Sequence, residues 1–242
     1  MNFAKNILRD LIPYSGRRKL ISVTSLLFGA YSQRSFSQEG EDLILRRLLE
    51  GKSHGFYVDI GAHHPKLFSN TYFFYRRGWR GINIDAAPGS MKPFNFFRPR
   101  DINVESAISS RTEPICFSIF NEPALNSFNA SNFRRGDSKY IETKRVELRP
   151  RTLKSILDEY LPDRQVIDFL SVDVEGEDLN VLKSNDWGKF RPRLIAVEER
   201  DFDIQDPGKS EIFTFLRAQG YILKAKTLNT LLFVLSSLEK TN

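Results

Sequence analysis

Short apolar runs alternate with longer amphipathic segments along most of the chain. The runs GFYVDIG, RGINIDA, DINVESAIS, VIDFLSVDV and PRLIAVEE have the length and composition of buried strands. The helices predicted around them are FSQEGEDLILRRLLEG, with Ser37 as its N-cap, then SNTYFFYRRGW, APGSMKPFNFF, TLKSILDEYL, EDLNVLKSNDW and KSEIFTFLRAQG. This alternation predicts an α/β fold built on a mostly parallel sheet.

Two stretches depart from that alternation. Residues 113–149 contain two strand-like runs, EPICFSIF and IETKRVELR, separated by a polar, Asn-rich stretch. They predict an antiparallel β insertion after the third strand, which we interpret as a lid, since long loops in compact domains are often functional. At the end of the chain, YILKAKT and LLFVLSS flank a turn at Leu228–Asn229, which predicts a hairpin with an antiparallel last strand.

The first 35 residues form a basic, amphipathic arm, and residues 36–242 form the predicted catalytic domain. The arm holds six bases and one acid, and its apolar residues have helical spacing. Two interpretations stay open: a helix that packs on the body or on a second copy in a homo-oligomer, or a contact with an anionic membrane surface.

Composition narrows the setting and the partners. The 242 residues include one cysteine, and the sequence has no secretory signal segment and no run of about 20 apolar residues, so we expect a cytoplasmic protein, at most peripheral to a membrane. The whole chain carries a net charge of +6, of which the arm contributes +5. Because the body is left with +1, we expect no nucleic-acid partner.

Acidic residues stand at the end of almost every predicted strand. They are Asp59, Asp85, Glu105, Asp173 and the pair Glu198–Glu199. In a doubly wound sheet, ligands bind outside the carboxyl ends of the strands. The pattern therefore predicts a ligand site at this edge of the sheet.

The turn after the first strand, GAHHP, bears on which ligand binds there. It has one glycine, whereas the dinucleotide fingerprint has three that let the backbone approach a diphosphate. One glycine with Asp85 at the end of the second strand suits a ligand with a ribose and a positive charge, such as S-adenosylmethionine. A nicotinamide-dependent oxidoreductase and a non-catalytic binding protein on the same fold are the alternatives.

Five motifs together resemble the FkbM-type family of S-adenosylmethionine-dependent methyltransferases. They are SQEGEDLIL, GFYVDIGAHHP, SNTYFFYRRGWRGINIDA, ALNSF and SVDVEGEDLNVL. The resemblance implies a class I methyltransferase fold, Rossmann-like, with a seven-stranded sheet and an antiparallel last strand. It also implies O-methylation of a carbohydrate hydroxyl in a polysaccharide, a glycolipid or a glycosylated metabolite.

The predicted cofactor contacts follow the strand ends and the helix before the first strand. They are Gln38, Asp42, Asp59, Gly61, Ala62, His63, Asp85, Ala86, Glu105, Ser106, Ala107 and Asp173. Asp85 is expected to accept both ribose hydroxyls. For Gln38 and Asp42, ordinary capping of the helix is an equal alternative.

The predicted catalytic residues are His63, His64, Asp173 and Glu175. A neutral imidazole can take the proton of an acceptor hydroxyl near neutral pH, which favours one of the two histidines as the base. The alternative is that the histidines cap the following segment or line the cofactor turn. Glu175 is the reserve base.

A divalent cation is the last expectation. Related sugar O-methyltransferases hold vicinal hydroxyls on a metal, and the resemblance suggests Asp173, Glu198 and Glu199 as ligands here. Carboxylate ligands favour Mg²⁺, Mn²⁺ or Ca²⁺. Alternatively, Asp173 serves the cofactor or substrate directly and the two glutamates pair with Arg193 or Arg200.

Overall fold

The computed structural model describes residues 32–128 and 139–241. The chain divides between Arg34 and Ser35 into two units, and the fold below is that of the second. The predicted arm lies outside the described residues except for its last four positions, so its two interpretations stay predictions.

Seven of the described strands form one central sheet, as predicted. The described residues contain nine strands in all: β1 (Phe56–Ile60), β2 (Arg80–Asp85), β3 (Ile102–Glu105), β4 (Ile115–Phe120), β5 (Glu142–Leu148), β6 (Phe169–Val172), β7 (Leu194–Glu198), β8 (Tyr221–Lys226) and β9 (Thr230–Leu235). The central sheet has the order β3-β2-β1-β6-β7-β9-β8. Strands β3, β2, β1, β6 and β7 run parallel, and β9 is antiparallel to both of its neighbours. This is the fold that the alternation and the final hairpin predict.

The described helices are shorter than the sequence suggested. They are α1 (Glu41–Leu48), α2 (Tyr72–Arg76), α3 (Met91–Phe97), α4 (Leu153–Tyr160), α5 (Asp178–Lys183) and α6 (Glu211–Ala218). The predicted N-cap at Ser37 is wrong, because Gly40 precedes α1 in a left-handed conformation (φ 90°). Helix α2 has only five residues. The residues before it, 61–70, form an irregular loop after β1 that includes the position where the sequence predicted the start of the helix.

The central sheet is buried on both faces, as parallel sheets usually are. Alternate residues of β1 enter opposite layers: Val58 packs in one core with Ile82 and Leu170, and Tyr57 in the other with Phe169. Strands β4 and β5 form a separate antiparallel pair after β3, as predicted for the insertion. In the described part of the chain, no helix has the length and apolar character that crossing a membrane requires.

A buried polar network lies against one face of the sheet at β1 and β2. The Arg98 side chain is fully buried and donates to the Asp101 carboxylate, the Thr71 hydroxyl and the Tyr57 hydroxyl. Thr71 in turn donates to Asp59 over 2.8 Å. Burial raises the pKa of Asp59, while the nearby Arg98 charge opposes that rise. Asp59 is therefore a structural member of this network and is buried in the core.

Candidate active site

A cavity of about 370 Å³ lies at the carboxyl ends of β1, β2 and β6 and extends under the β4–β5 insertion. Of the residues predicted from sequence, those that line it are Gln38, Gly61, His63, Asp85, Ala86, Ser106, Asp173 and Glu175. The others lie outside its lining: Asp42, Asp59, Ala62, His64, Glu105, Ala107, Glu198 and Glu199. The cavity therefore forms where the strand-end acids predict a ligand site.

Gly61 brings the ends of β1 and β6 into close approach. Its φ is 79°, and a Cβ at this position would lie 1.7 Å from the Asp173 carbonyl oxygen. The N–H groups of Gly61 and Ala62 both donate to the Ile84 carbonyl, which ties the turn to β2. Only glycine fits here, because both the backbone conformation and the contact exclude a side chain.

Asp85 joins two turns that border the cavity. Its carboxylate accepts from the His63 N–H over 2.9 Å and from the Ala87 N–H over 2.8 Å. Burial raises the pKa of Asp85, and the hydrogen bonds from Ala87 and His63 counter that effect. Because a carboxylate offers about four acceptor positions, two remain for a ligand with paired hydroxyls.

The residues after β3 border the same side of the cavity. Ser106 donates its N–H to the Asp85 carbonyl, and the Glu105 carboxylate accepts from the Gly89 N–H over 2.7 Å. Ala107 is buried behind them. Glu105 therefore positions the loop after β2 rather than lining the cavity itself.

The two histidines of the GAHHP turn have different surroundings. His63 adopts φ 52°, lines the cavity and stacks on Phe68 at a ring-centroid distance of 6.3 Å. The Nδ1 atom of His64 accepts from the N–H groups of Lys66 and Leu67 over 3.1 and 3.0 Å. An Nδ1 that accepts has no proton, so the neutral His64 ring carries its proton on Nε2. Burial also lowers the pKa of His64 below its ordinary value. This geometry favours the capping alternative for His64.

Three carboxylates converge at the ends of β6 and β7. One oxygen each of Asp173, Glu175 and Glu198 lies within 4.8 Å of the others. Burial and the Glu198 charge raise the pKa of Asp173 well above its ordinary value and that of Glu175 to about 7. The same two causes raise the pKa of Asp178, at the start of α5, to about 7. The cluster thus holds protons at a pH where isolated carboxyl groups do not.

Arg200 is the cation that contacts this cluster. Its guanidinium donates to Glu198 over 2.9 Å and to Glu175 over 2.6 Å, so the alternative of a Glu198–Arg200 pair is confirmed. The grouping of Glu199 with Asp173 and Glu198 is wrong. Successive residues of a strand face opposite ways, and Glu199 instead accepts from the Ser210 hydroxyl over 2.7 Å. Arg193 lies near Asp168 rather than near this pair.

The segment before α1 divides between the cavity and the scaffold. Gln38 lines the cavity, whereas Asp42 is buried and accepts from the hydroxyls of Ser35 and Ser37. Glu39 accepts from the backbone and side chain of Asn229 in the β8–β9 turn. Glu39 therefore fixes the start of α1 against the β8–β9 turn, and Asp42 fixes the preceding segment on the helix.

The insertion supplies cavity residues that sequence reasoning did not single out. They are Phe117, Ile119, Pro123, Ala124, Asn126 and Phe128. The Ser127 hydroxyl donates to the Glu175 carbonyl over 3.1 Å, which ties the insertion to the acidic cluster. The ALNSF motif was the available signal, but its position over the cavity depends on the pairing of Ser118 with Ser127.

A sequence model of the methyltransferase FkbM domain matches residues 59–223, more than half of the 242-residue chain. The chain belongs to the FkbM methyltransferase family. The resemblance stated from its motifs is thereby confirmed. Among curated proteins, none matches the chain at a significant level.

The matched region of this FkbM methyltransferase begins inside β1 and ends inside β8. It includes the Gly61 turn, Asp85, the insertion and the acidic cluster, so every lining residue of the cavity except Gln38 lies within the family domain. Membership favours a methyltransferase over the oxidoreductase alternative.

Proposed function

We propose that this FkbM methyltransferase transfers a methyl group from S-adenosylmethionine to a hydroxyl of a carbohydrate. The observation that carries the proposal is the single cavity in which the Gly61 turn, Asp85 and Glu175 meet. A cofactor turn, a ribose acceptor and a titratable acid are what a methyl transfer to oxygen requires of the protein.

The residues of the cavity fit the cofactor. Gly61 lets the ends of β1 and β6 approach closely, which a side chain would prevent, and Asp85 keeps acceptor positions for the two ribose hydroxyls. His63, Ala86 and Ser106 complete this wall of the cavity. When bound, S-adenosylmethionine supplies an electrophilic methyl group, and its transfer forms an O–C bond, breaks an S–C bond and releases the hydroxyl proton.

We assign the acceptance of that proton to Glu175. Its pKa of about 7 lies near working pH, where a base is most effective. Arg200 stays in contact with the glutamate and orients it. His63 is the second candidate base, since it lines the same cavity. His64 is not, because Nδ1 already accepts two N–H groups.

A divalent cation at Asp173, Glu175 and Glu198 is the alternative use of the cluster. The ligands are hard oxygens at suitable separations, and a cation bound to an alcohol lowers its pKa. The cation would have to displace Arg200 from two of the three carboxylates. We therefore propose that Arg200, and not a divalent cation, occupies this cluster in the active enzyme. We expect turnover to persist in EDTA.

The insertion is the proposed acceptor side of the cavity. Phe117 and Phe128 pack at a centroid distance of 4.7 Å, and both line the cavity with Asn126. An aromatic surface beside an amide suits a sugar ring, which presents both C–H faces and hydroxyls. This lining and the family resemblance support a carbohydrate acceptor.

The experiment is methyl transfer by the purified full chain. Labelled S-adenosylmethionine is incubated with glycans from cells that lack the gene, and products are analysed by mass spectrometry. We expect glycan fragments to gain one CH₂ unit with wild-type protein and not with Glu175→Ala. The matched control is Glu159→Ala, a surface acid that pairs with Arg151 and does not line the cavity. Absence of label in every glycan fraction would refute the carbohydrate assignment.

A further inference from the structure

Four large apolar side chains beside the cavity are exposed to solvent. We call Leu67, Phe68, Phe96 and Phe97 the rim patch; their exposed fractions are 61, 58, 78 and 43 %. They come from the loop after β1 and from α3. Clustered exposed apolar residues mark an interaction site more often than scattered ones do.

The loop after β1 contacts α3 through Lys66, the residue before Leu67. The Lys66 ammonium lies 3.9 Å from the centre of the Phe97 ring, and Phe96 and Phe97 pack edge to face. Phe68 adopts φ 51°, which is an outlier for a bulky residue. This strained backbone holds the Phe68 ring at the surface, and strain of this kind concentrates at functional sites.

The rim patch borders the cavity directly. Phe68 is both exposed and part of the cavity lining, and Pro93 of α3 lines the cavity as well. His63 stacks on Phe68 from inside the turn. A surface bound to the rim patch would therefore lie at the edge of this cavity.

The charged residues that the structure places beside the rim patch are two lysines, Lys66 next to Leu67 and Lys92 on α3. Residues 60–100 contain seven Lys and Arg residues and a single acid, Asp85, whose carboxylate is bonded internally; one of the seven, Arg98, is buried and paired with Asp101. This segment carries a net charge of +6, as much as the entire chain. Lys92 lies one helical turn before Phe96 on α3 and is exposed. The near-neutral body is thus an average of one strongly basic segment and an acidic remainder.

This charge argues against two occupants within the protein itself. The N-terminal residues 1–35 carry +5 and would meet like charge at the rim patch. A second copy that used the same surface would bring a second set of these lysines into the interface and no acid of the rim patch to pair with them. An anionic bilayer complements both features, because it attracts the lysines and accepts apolar side chains at the interface.

We propose that the rim patch docks on an anionic lipid bilayer and that the cavity thereby receives a hydroxyl of a membrane-anchored acceptor. The acceptor part rests on the proposed function. The docking part does not, and it is measured without cofactor or acceptor.

The test is co-sedimentation of the full chain with vesicles of phosphatidylcholine alone or with about 30 % phosphatidylglycerol. The variant Leu67→Ser/Phe96→Ser removes two exposed side chains of the rim patch. Its matched control is Ile204→Ser/Leu228→Ser, which removes two side chains that are 71 and 77 % exposed elsewhere. We expect the wild type and the control to bind anionic vesicles, less tightly as salt rises, and the rim variant to bind at least about tenfold more weakly.

Three results would overturn the proposal. In the first, the wild type fails to bind anionic vesicles. In the second, the rim variant binds as well as the control does, so that another part of the chain carries binding. In the third, light scattering gives a wild-type dimer that the rim variant converts to a monomer. Affinity for S-adenosylhomocysteine is measured on the same samples. We expect it to be equal in all of them, so failure of docking leaves the methyl-transfer proposal standing.

Discussion

Gly61 is the residue at which the constraints on the cofactor turn are most severe. It combines a positive φ with a backbone contact that leaves no space for a Cβ. Gly78 also has a positive φ, 91°, but nothing lies within 4 Å of its Cβ position. The two glycines therefore separate backbone strain from steric exclusion.

We expect Gly61→Ala to abolish binding of S-adenosylhomocysteine and to lower stability by several kcal/mol. Gly78→Ala should cost only about 1 kcal/mol and leave affinity unchanged, because it adds strain without a clash. Calorimetry and thermal unfolding on the two variants give both quantities. Equal losses of stability would mean that the contact with Asp173 is not restrictive.

Asp85→Ala should weaken S-adenosylhomocysteine binding by about 30-fold, or about 2 kcal/mol, because charged hydrogen bonds to the ribose are lost. The variant also removes an acceptor for two backbone N–H groups, so its unfolding must be measured beside its affinity. Glu105→Ala is the control, since it removes one backbone contact of the same kind at Gly89. A folded Asp85→Ala protein with wild-type affinity would exclude Asp85 from the ribose site.

Glu175 makes the stability of the protein depend on pH in the opposite direction from an acid whose pKa is lowered by folding. Its pKa is raised from 4.5 to about 7, so the folded state binds more protons than the unfolded state within that window. Its contribution to stability is present below about pH 4.5 and is lost as the pH rises to about 7. Relative to wild type, Glu175→Gln should therefore gain stability between pH 5 and about pH 8. A constant difference across this range, measured by denaturant unfolding, would mean that the pKa is not raised.

The sequence placed some site residues correctly and could not place others. Asp85 and Asp173 follow from a simple rule, since parallel strands end at one edge of the sheet. Glu175 enters the acidic cluster, and Glu199 does not, because of a left-handed turn at Glu175 (φ 52°) and the alternation of side chains along β7. Neither the turn nor its cause is visible in the residue types.

Among the elements, the β4–β5 insertion controls one wall of the cavity. Ser127 is buried and anchors the insertion at the Glu175 carbonyl. We expect Ser127→Ala to raise the KM for the acceptor several-fold while the Kd for S-adenosylhomocysteine stays within about twofold, since one neutral hydrogen bond is worth about 1 kcal/mol. Equal changes in both constants would show that the insertion does not act on the acceptor alone.

Element order was predictable, and element ends were not. The alternation of apolar runs and amphipathic segments was enough for the parallel strands and the final hairpin. The start of α1 was missed because Glu39, just before the helix, bonds to a distant residue, Asn229, instead of capping the first turn. A capping rule considers only neighbours in sequence, whereas this partner comes from a tertiary contact.

At the scale of the whole molecule, residues 60–100 form the basic segment of the domain and also line one side of the cavity. The sum of charges over the body concealed this asymmetry, because residues 60–100 are offset by acids elsewhere. The acids that surround the cavity at β6 and β7 keep their own counter-ion, Arg200. The same segment thus supplies the proposed cofactor wall at Gly61 and Asp85 and the lysines beside the rim patch.

Titration calorimetry of the full chain with S-adenosylhomocysteine tests the central claim, that this cavity is a methyltransferase cofactor site, most directly. The account predicts one binding site per chain, no heat with NAD, and loss of binding in Gly61→Ala but not in Gly78→Ala. Absence of binding by the folded wild type, or binding that survives Gly61→Ala unchanged, would contradict it.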